Sequence, residues 1–232
     1  MKSPSILILA LVAGSLAAQD VSKVDARVQL FYETMFPSSI QFGTSPDVLT
    51  AKPGHQNGLG IRFLGEIASA PGLYYEVGGM LDATSYFSFN GGFSDGTTLN
   101  LSNVKFTESY WSVGAAYLWK TSERWSWGLH LEARSEALRL QGPAQGTSFN
   151  GGNPTPVDQE TTYLRPWARG SADYTFTGVG KDIHPFIGVE GSMALLRTSQ
   201  AETLTDFTNV DNRNVKAMAS KFSGAFYAGL RF

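Results

Sequence analysis

Eight times between Val24 and Phe232 the chain alternates apolar with polar residues at a period of two, and helical spacing is not sustained anywhere. That period belongs to strands whose two faces meet different surroundings. The clearest segment sets Trp127, Leu129, Leu131 and Ala133 against His130, Glu132, Arg134 and Glu136. The first sets Val24, Ala26, Val28, Leu30 and Tyr32 against Asp25, Arg27, Gln29 and Glu33, with Phe31 on the polar side. A third begins at Leu73 and opposes Leu73, Tyr75, Val77 and Leu81 to Glu76 and Asp82. The last opposes Phe222, Phe226, Ala228, Leu230 and Phe232 to Lys221, Ser223, Tyr227 and Arg231.

Connections between the segments alternate in length. Short ones fall near 69–72, 120–124 and 177–183, and long ones near 37–57, 85–104, 140–162 and 198–216. Antiparallel hairpins then place all long loops at one end and all short turns at the other. The expected fold is all-β: a closed antiparallel transmembrane β-barrel of eight strands, with short periplasmic turns and four long extracellular loops. Ten strands remain open, because the second or fourth long connection has room for another hairpin.

A soluble calyx would turn the same apolar faces inward. The polar face argues for the membrane arrangement. It carries Asp25, Arg27, Glu33, Arg62, Glu66, Glu76, Asp82, Glu108, His130, Glu132, Arg134, Glu136, Arg165, Arg169, Asp173, Glu190, Lys221 and Arg231. Acids and bases nearly balance, and Arg outnumbers Lys, as suits desolvated pairs inside a lumen. Trp111, Trp119, Trp125 and Trp127 read as an aromatic girdle around the short turn at 120–124.

Residues 1–18 read as a removable signal peptide: Lys2, the apolar run Ile6 to Ala13, then the small residues Gly14 to Ala18. The barrel domain is expected over 19–232. With 18 Lys and Arg against 20 Asp and Glu, the chain lacks the basic excess that nucleic acid requires. Having no cysteine, it has no disulfide, thiolate nucleophile or Cys-ligated zinc.

The final segment, KFSGAFYAGLRF, carries apolar residues at every second position back from Phe232. In this, and in its eight alternating segments, the chain resembles the small eight-stranded outer-membrane barrels of diderm bacteria, the OmpA/OmpX type. The resemblance implies residence in the bacterial outer membrane among its lipids. It also implies recognition of Phe226, Leu230 and Phe232 by the barrel-assembly machinery during biogenesis. It names no external ligand, because such folds host many activities.

Ser126, His130 and Glu132 share one strand face and invite a hydrolase reading. Four residues of strand separate Ser126 from His130 by about 13 Å, too far for a nucleophile and its base. Lipid A deacylases carry a His-x-Ser pair, and here the residue two after His130 is Glu132. No catalytic residue, metal or cofactor is therefore expected, and His55 and His184 stand apart from any cluster. The string SFNGG, at Ser88 to Gly92 and again at Ser148 to Gly152, suggests two Asn-Gly hairpin tips bearing Phe89 and Phe149, with Phe87 and Phe93 nearby as a candidate adhesive rim. Trp167 falls on the polar face beside Pro166, which suggests a bulge. The expected function is a non-enzymatic outer-membrane barrel with a charge-paired lumen, its loops serving adhesion, interaction or envelope stability. The alternatives are a narrow channel for ions or small apolar molecules, and a lipid-modifying enzyme.

Overall fold

The computed structural model describes residues 25–37, 39–44, 46–96, 98–147, 155–177, 182–196, 202–206 and 214–232. The expected signal peptide, the second SFNGG string and Phe149 lie outside the described residues. Among the described residues twelve strands follow one another: β1 (Ala26–Phe36), β2 (Ser39–Thr44), β3 (Asp47–Ala51), β4 (Gln56–Glu66), β5 (Leu73–Gly92), β6 (Thr98–Lys120), β7 (Trp125–Thr147), β8 (Thr155–Thr175), β9 (His184–Ala194), β10 (Glu202–Asp206), β11 (Asn214–Met218) and β12 (Phe222–Arg231).

Eight of them close a barrel in the order β1-β12-β9-β8-β7-β6-β5-β4. Closure is made by β1, which pairs antiparallel with β12 through Leu30 and Ala228 and with β4 through Gln29 and Arg62. The hairpins β2–β3 and β10–β11 lie in the first and fourth long connections and form a separate sheet, ordered β10-β11-β2-β3. The wall therefore has eight strands rather than ten.

Apolar side chains face outward along the wall, with Leu164 72% and Phe226 71% exposed. Such a surface is stable only against hydrocarbon. Trp119 and Trp127 pair across β6 and β7, and Trp125 packs edge-on to Tyr174, making a girdle at the turn end. Trp111 does not belong to that girdle. It pairs with Ser135, about 26 Å along β6 from Trp119 by strand rise, and so marks the opposite rim.

Strand length produces a second tier. β1, β4, β9 and β12 have 10 or 11 residues, enough to cross the hydrocarbon, whereas β5 to β8 have 20 to 23. The excess of β5 to β8 rises beyond the apolar band, and the β10-β11-β2-β3 sheet accompanies it. Ile40, Phe42, Phe87, Phe93, Leu99, Leu101, Val104, Phe106, Leu138 and Leu140 pack between them as an apolar core. Ser94 ties the hairpin tip to β3, donating from its backbone N–H and its hydroxyl to Asp47.

Three local expectations change. A bulge between Met80 and Ala83 turns both Leu81 and Asp82 outward, so Asp82 is exposed rather than in the lumen. Asn90 and Gly91 are ladder residues paired with Asn100 and Leu99, and the hairpin tip runs from Phe93 to Gly96. Gly96 there has φ 85°, where a side chain is strained. With Phe87 and Phe93 buried and Phe89 packed on the same core, these rings form no exposed rim. Trp167 needs no bulge: the β7–β8 register is unbroken from Arg165 to Trp167, and the ring points inward by ordinary alternation.

Candidate functional site

The lumen is filled from end to end, in layers set by strand parity. At the turn end Arg27 lies 3.3 Å from Asp173, and Arg231 lies 2.7 Å from Asp25. Tyr74 donates to Asp25 at 2.9 Å and Ser126 to Asp173 at 2.8 Å. Leu64, Tyr74, Ala116 and Leu118 pack beside these groups.

The middle layer is an ionic core. Arg62 meets Glu190 in a two-point contact at 2.9 and 3.1 Å, and its guanidinium lies over the Phe31 ring. Gly60 makes that possible, because a Cβ there would run into the Phe31 ring. Arg169 touches Glu76 at 2.7 Å, Glu132 at 3.2 Å and Glu190 at 3.2 Å. Arg134 reaches Glu132 at 2.7 Å and Glu33 at 3.2 Å, while Tyr110 and Ser223 donate to Glu33. The rings of Tyr110 and Trp167 lie 4.1 and 4.2 Å from the Arg134 guanidinium. Planar, always charged guanidinium groups are suited to such shared, stacked positions.

At the loop end Arg165 pairs with Glu136 at 2.6 Å and donates to the Ser220 carbonyl at 2.8 Å. The Ser220 N–H donates to Glu108 at 2.9 Å. The sequence-derived set is thus mostly gathered in one column, with two departures besides Asp82. Glu66 is half-buried and accepts the Gly72 N–H at 2.7 Å, capping a short turn. Lys221 is half-buried just before β12 and enters none of these ion pairs.

The partner of His130 is not Ser126. His130 Nε2 lies 2.9 Å from Ser171 Oγ, and Nδ1 lies 2.8 Å from Glu76 Oε2. Arg169 Nη2 is also 2.8 Å from Nδ1. Gly128 leaves the space, since a Cβ there would fall 2.5 Å from Ser171 Oγ. Serine, imidazole and carboxylate in this order outline the proton relay of a nucleophilic serine. Ser171 is 8% exposed and sits where β8 pairs with both β7 and β9, so neighbouring backbone N–H groups serve the sheet rather than an oxyanion. The parity of Arg169, Ser171 and Asp173 places Ser171 in the lumen; the sequence holds no signal for its meeting with His130. Among the described residues no group of three or more His, Cys, Asp or Glu is placed to hold a metal ion.

These features define an integral membrane β-barrel of the outer-membrane type. It shares its fold with the outer membrane protein OprG from Pseudomonas aeruginosa, at a TM-score of 0.50 and 11% identity, over 90% of this chain and 95% of that one. Neisserial surface protein A aligns over 89% of this chain and 95% of its own, at 13% identity and a TM-score of 0.43. Ail, the attachment invasion locus protein of Yersinia pestis, aligns over 90% and 99%, at 10% identity and a TM-score of 0.41. No protein-family model and no curated protein matches the chain.

Proposed function

We propose that this protein is a non-enzymatic, non-conducting outer-membrane barrel whose sealed lumen makes a rigid stalk for its outer tier, which serves adhesion, interaction or envelope stability. The observation that supports this reading is the continuous filling of the lumen. Arg27, Arg62, Arg134, Arg169 and Trp167 are all nearly inaccessible to solvent. An eight-stranded barrel has an interior about wide enough for side chains alone. Outer-membrane lipid surrounds the wall. The barrel-assembly machinery reads the last strand through Phe226, Leu230 and Phe232, which face outward. The test is planar-bilayer recording of the refolded protein. We expect no steady unitary currents, and their appearance would transfer the assignment to the narrow-channel alternative.

A second reading, the lipid-modifying enzyme, is favoured by the Glu76–His130–Ser171 relay alone. Mass spectrometry of lipid A and phospholipids after incubation with the protein decides it. Unchanged lipids are expected, and a deacylated product lost in Ser171→Ala would establish the enzyme instead.

A further inference from the structure

Exposed apolar side chains end with Trp111 on β6 and Leu131 on β7. Beyond them, at the joint between the two tiers, lie Glu108 and Glu136. The registers Glu108 to Leu138 and Tyr110 to Glu136 make them diagonal neighbours on the inward face. Each is 3% exposed. Above them pack Phe106 and Leu138 of the outer apolar core, and below them Tyr110 and Trp167.

Among the described residues one guanidinium makes an ion pair at this joint. Arg165 pairs with Glu136 and reaches Glu108 only through the backbone of Ser220. Arg134 faces Glu136 as well, but is committed to Glu33 and Glu132. Among the described residues Tyr163 and the Trp167 indole of β8 and Ser220 also lie against the pair, Lys221 follows Ser220 half-buried, and Gln56 of β4 spends its amide N–H on the Phe106 carbonyl. Glu108 Oε2 and Glu136 Oε1 are buried and make no hydrogen bond of good geometry, although the Ser220 hydroxyl lies against Glu108 and the Tyr163 hydroxyl and Trp167 indole N–H lie against Glu136.

Charge counting across the middle and upper lumen points to the same place. Six buried carboxylates (Glu33, Glu76, Glu108, Glu132, Glu136 and Glu190) face four arginines (Arg62, Arg134, Arg165 and Arg169). Five of the six have a guanidinium within ion-pair distance, and among the described residues Glu108 has none. A buried carboxylate without a cation is far costlier than a buried carboxylic acid. Burial and the neighbouring Glu136 push the Glu108 carboxyl up to about 7.

We propose that Glu108 holds a proton that it shares with Glu136, and that this proton fastens the outer tier to the barrel, the joint loosening when it leaves. The direction follows from linkage. In the unfolded chain Glu108 titrates near its ordinary value of about 4.3. The stability due to the protonated form is then complete below that value and is lost as pH rises through neutrality.

The test uses the full chain refolded in detergent, unfolded by denaturant at a series of pH values, with Glu108→Gln in parallel. Taken relative to Glu108→Gln, so that the other groups that titrate in this range, His130 among them, cancel, we expect the wild-type folding equilibrium to weaken by roughly tenfold per pH unit, the slope of one proton, between about pH 5 and pH 7. Glu108→Gln removes that slope and is the more stable protein at alkaline pH. Infrared spectra supply an independent reading: a carboxylic-acid carbonyl band in the wild type at mildly acidic pH, titrating near neutrality and absent from Glu108→Gln. A difference in stability between the wild type and Glu108→Gln that does not change with pH, or no titrating acid band, overturns the proposal. So does a saturable gain in stability with Na⁺ or K⁺ at alkaline pH and fixed ionic strength, which would put a metal cation in place of the proton. If Glu108→Gln does not fold, the wild-type infrared titration alone decides.

Discussion

Arg134 shows how a single residue is held here and what its loss does. Its charge is divided between Glu33 and Glu132, and its plane lies between two aromatic rings. Arg134→Ala leaves buried Glu33 without a guanidinium and Glu132 with Arg169 alone, and opens a void, which predicts a loss of about 3–5 kcal/mol, measured as a shift in the denaturant midpoint of the refolded barrel. Its place in the lumen is legible from the alternation of His130, Glu132, Arg134 and Glu136. Its partners are not, because strand parity fixes the face a side chain takes and says nothing about which long side chain it meets across a closed cylinder. Ser171 and His130 are the same case, brought together from adjacent strands. Asp82 is the reverse: the alternation places it in the lumen, and one inserted residue at the Met80–Ala83 bulge puts it outside.

Among the elements, β7 explains why the outer tier is hard to read from sequence. Its even-numbered residues from Ser126 to Leu140 point inward, yet they change from Glu132, Arg134 and Glu136 to Leu138 and Leu140. The odd-numbered ones change in the opposite sense, from Trp127, Leu129 and Leu131 to Ser135, Arg139 and Gln141. The period of two persists while its polarity inverts, because the strand leaves hydrocarbon for water and its inner face leaves an ionic core for an apolar one. Read without that inversion, 85–104 and 140–162 look like loops. In β6 the bulge between Leu101 and Lys105 adds a shift of face that hides the pattern further. Phe106 is wholly buried in the outer core. Phe106→Ala is expected to cost about 3–5 kcal/mol, and limited proteolysis of the refolded protein should then cut the outer tier while the barrel retains its heat-modifiable migration.

For the whole molecule, one rule accounts for the architecture: each backbone group pairs around the closed ring, and each surface meets a medium of its own polarity. The lumen holds the charges, lipid meets the apolar band, and the outer tier buries its own apolar core between two sheets. The most direct measurement uses the absence of native cysteine, which makes Leu131→Cys and Leu138→Cys unique sites for spin labels. In bilayers the label at 131 should collide with oxygen dissolved in the acyl chains and not with a water-soluble nickel reagent. The label at 138 should be reached poorly by both. Free access of the nickel reagent to position 131, or lipid contact at position 138, would contradict the account.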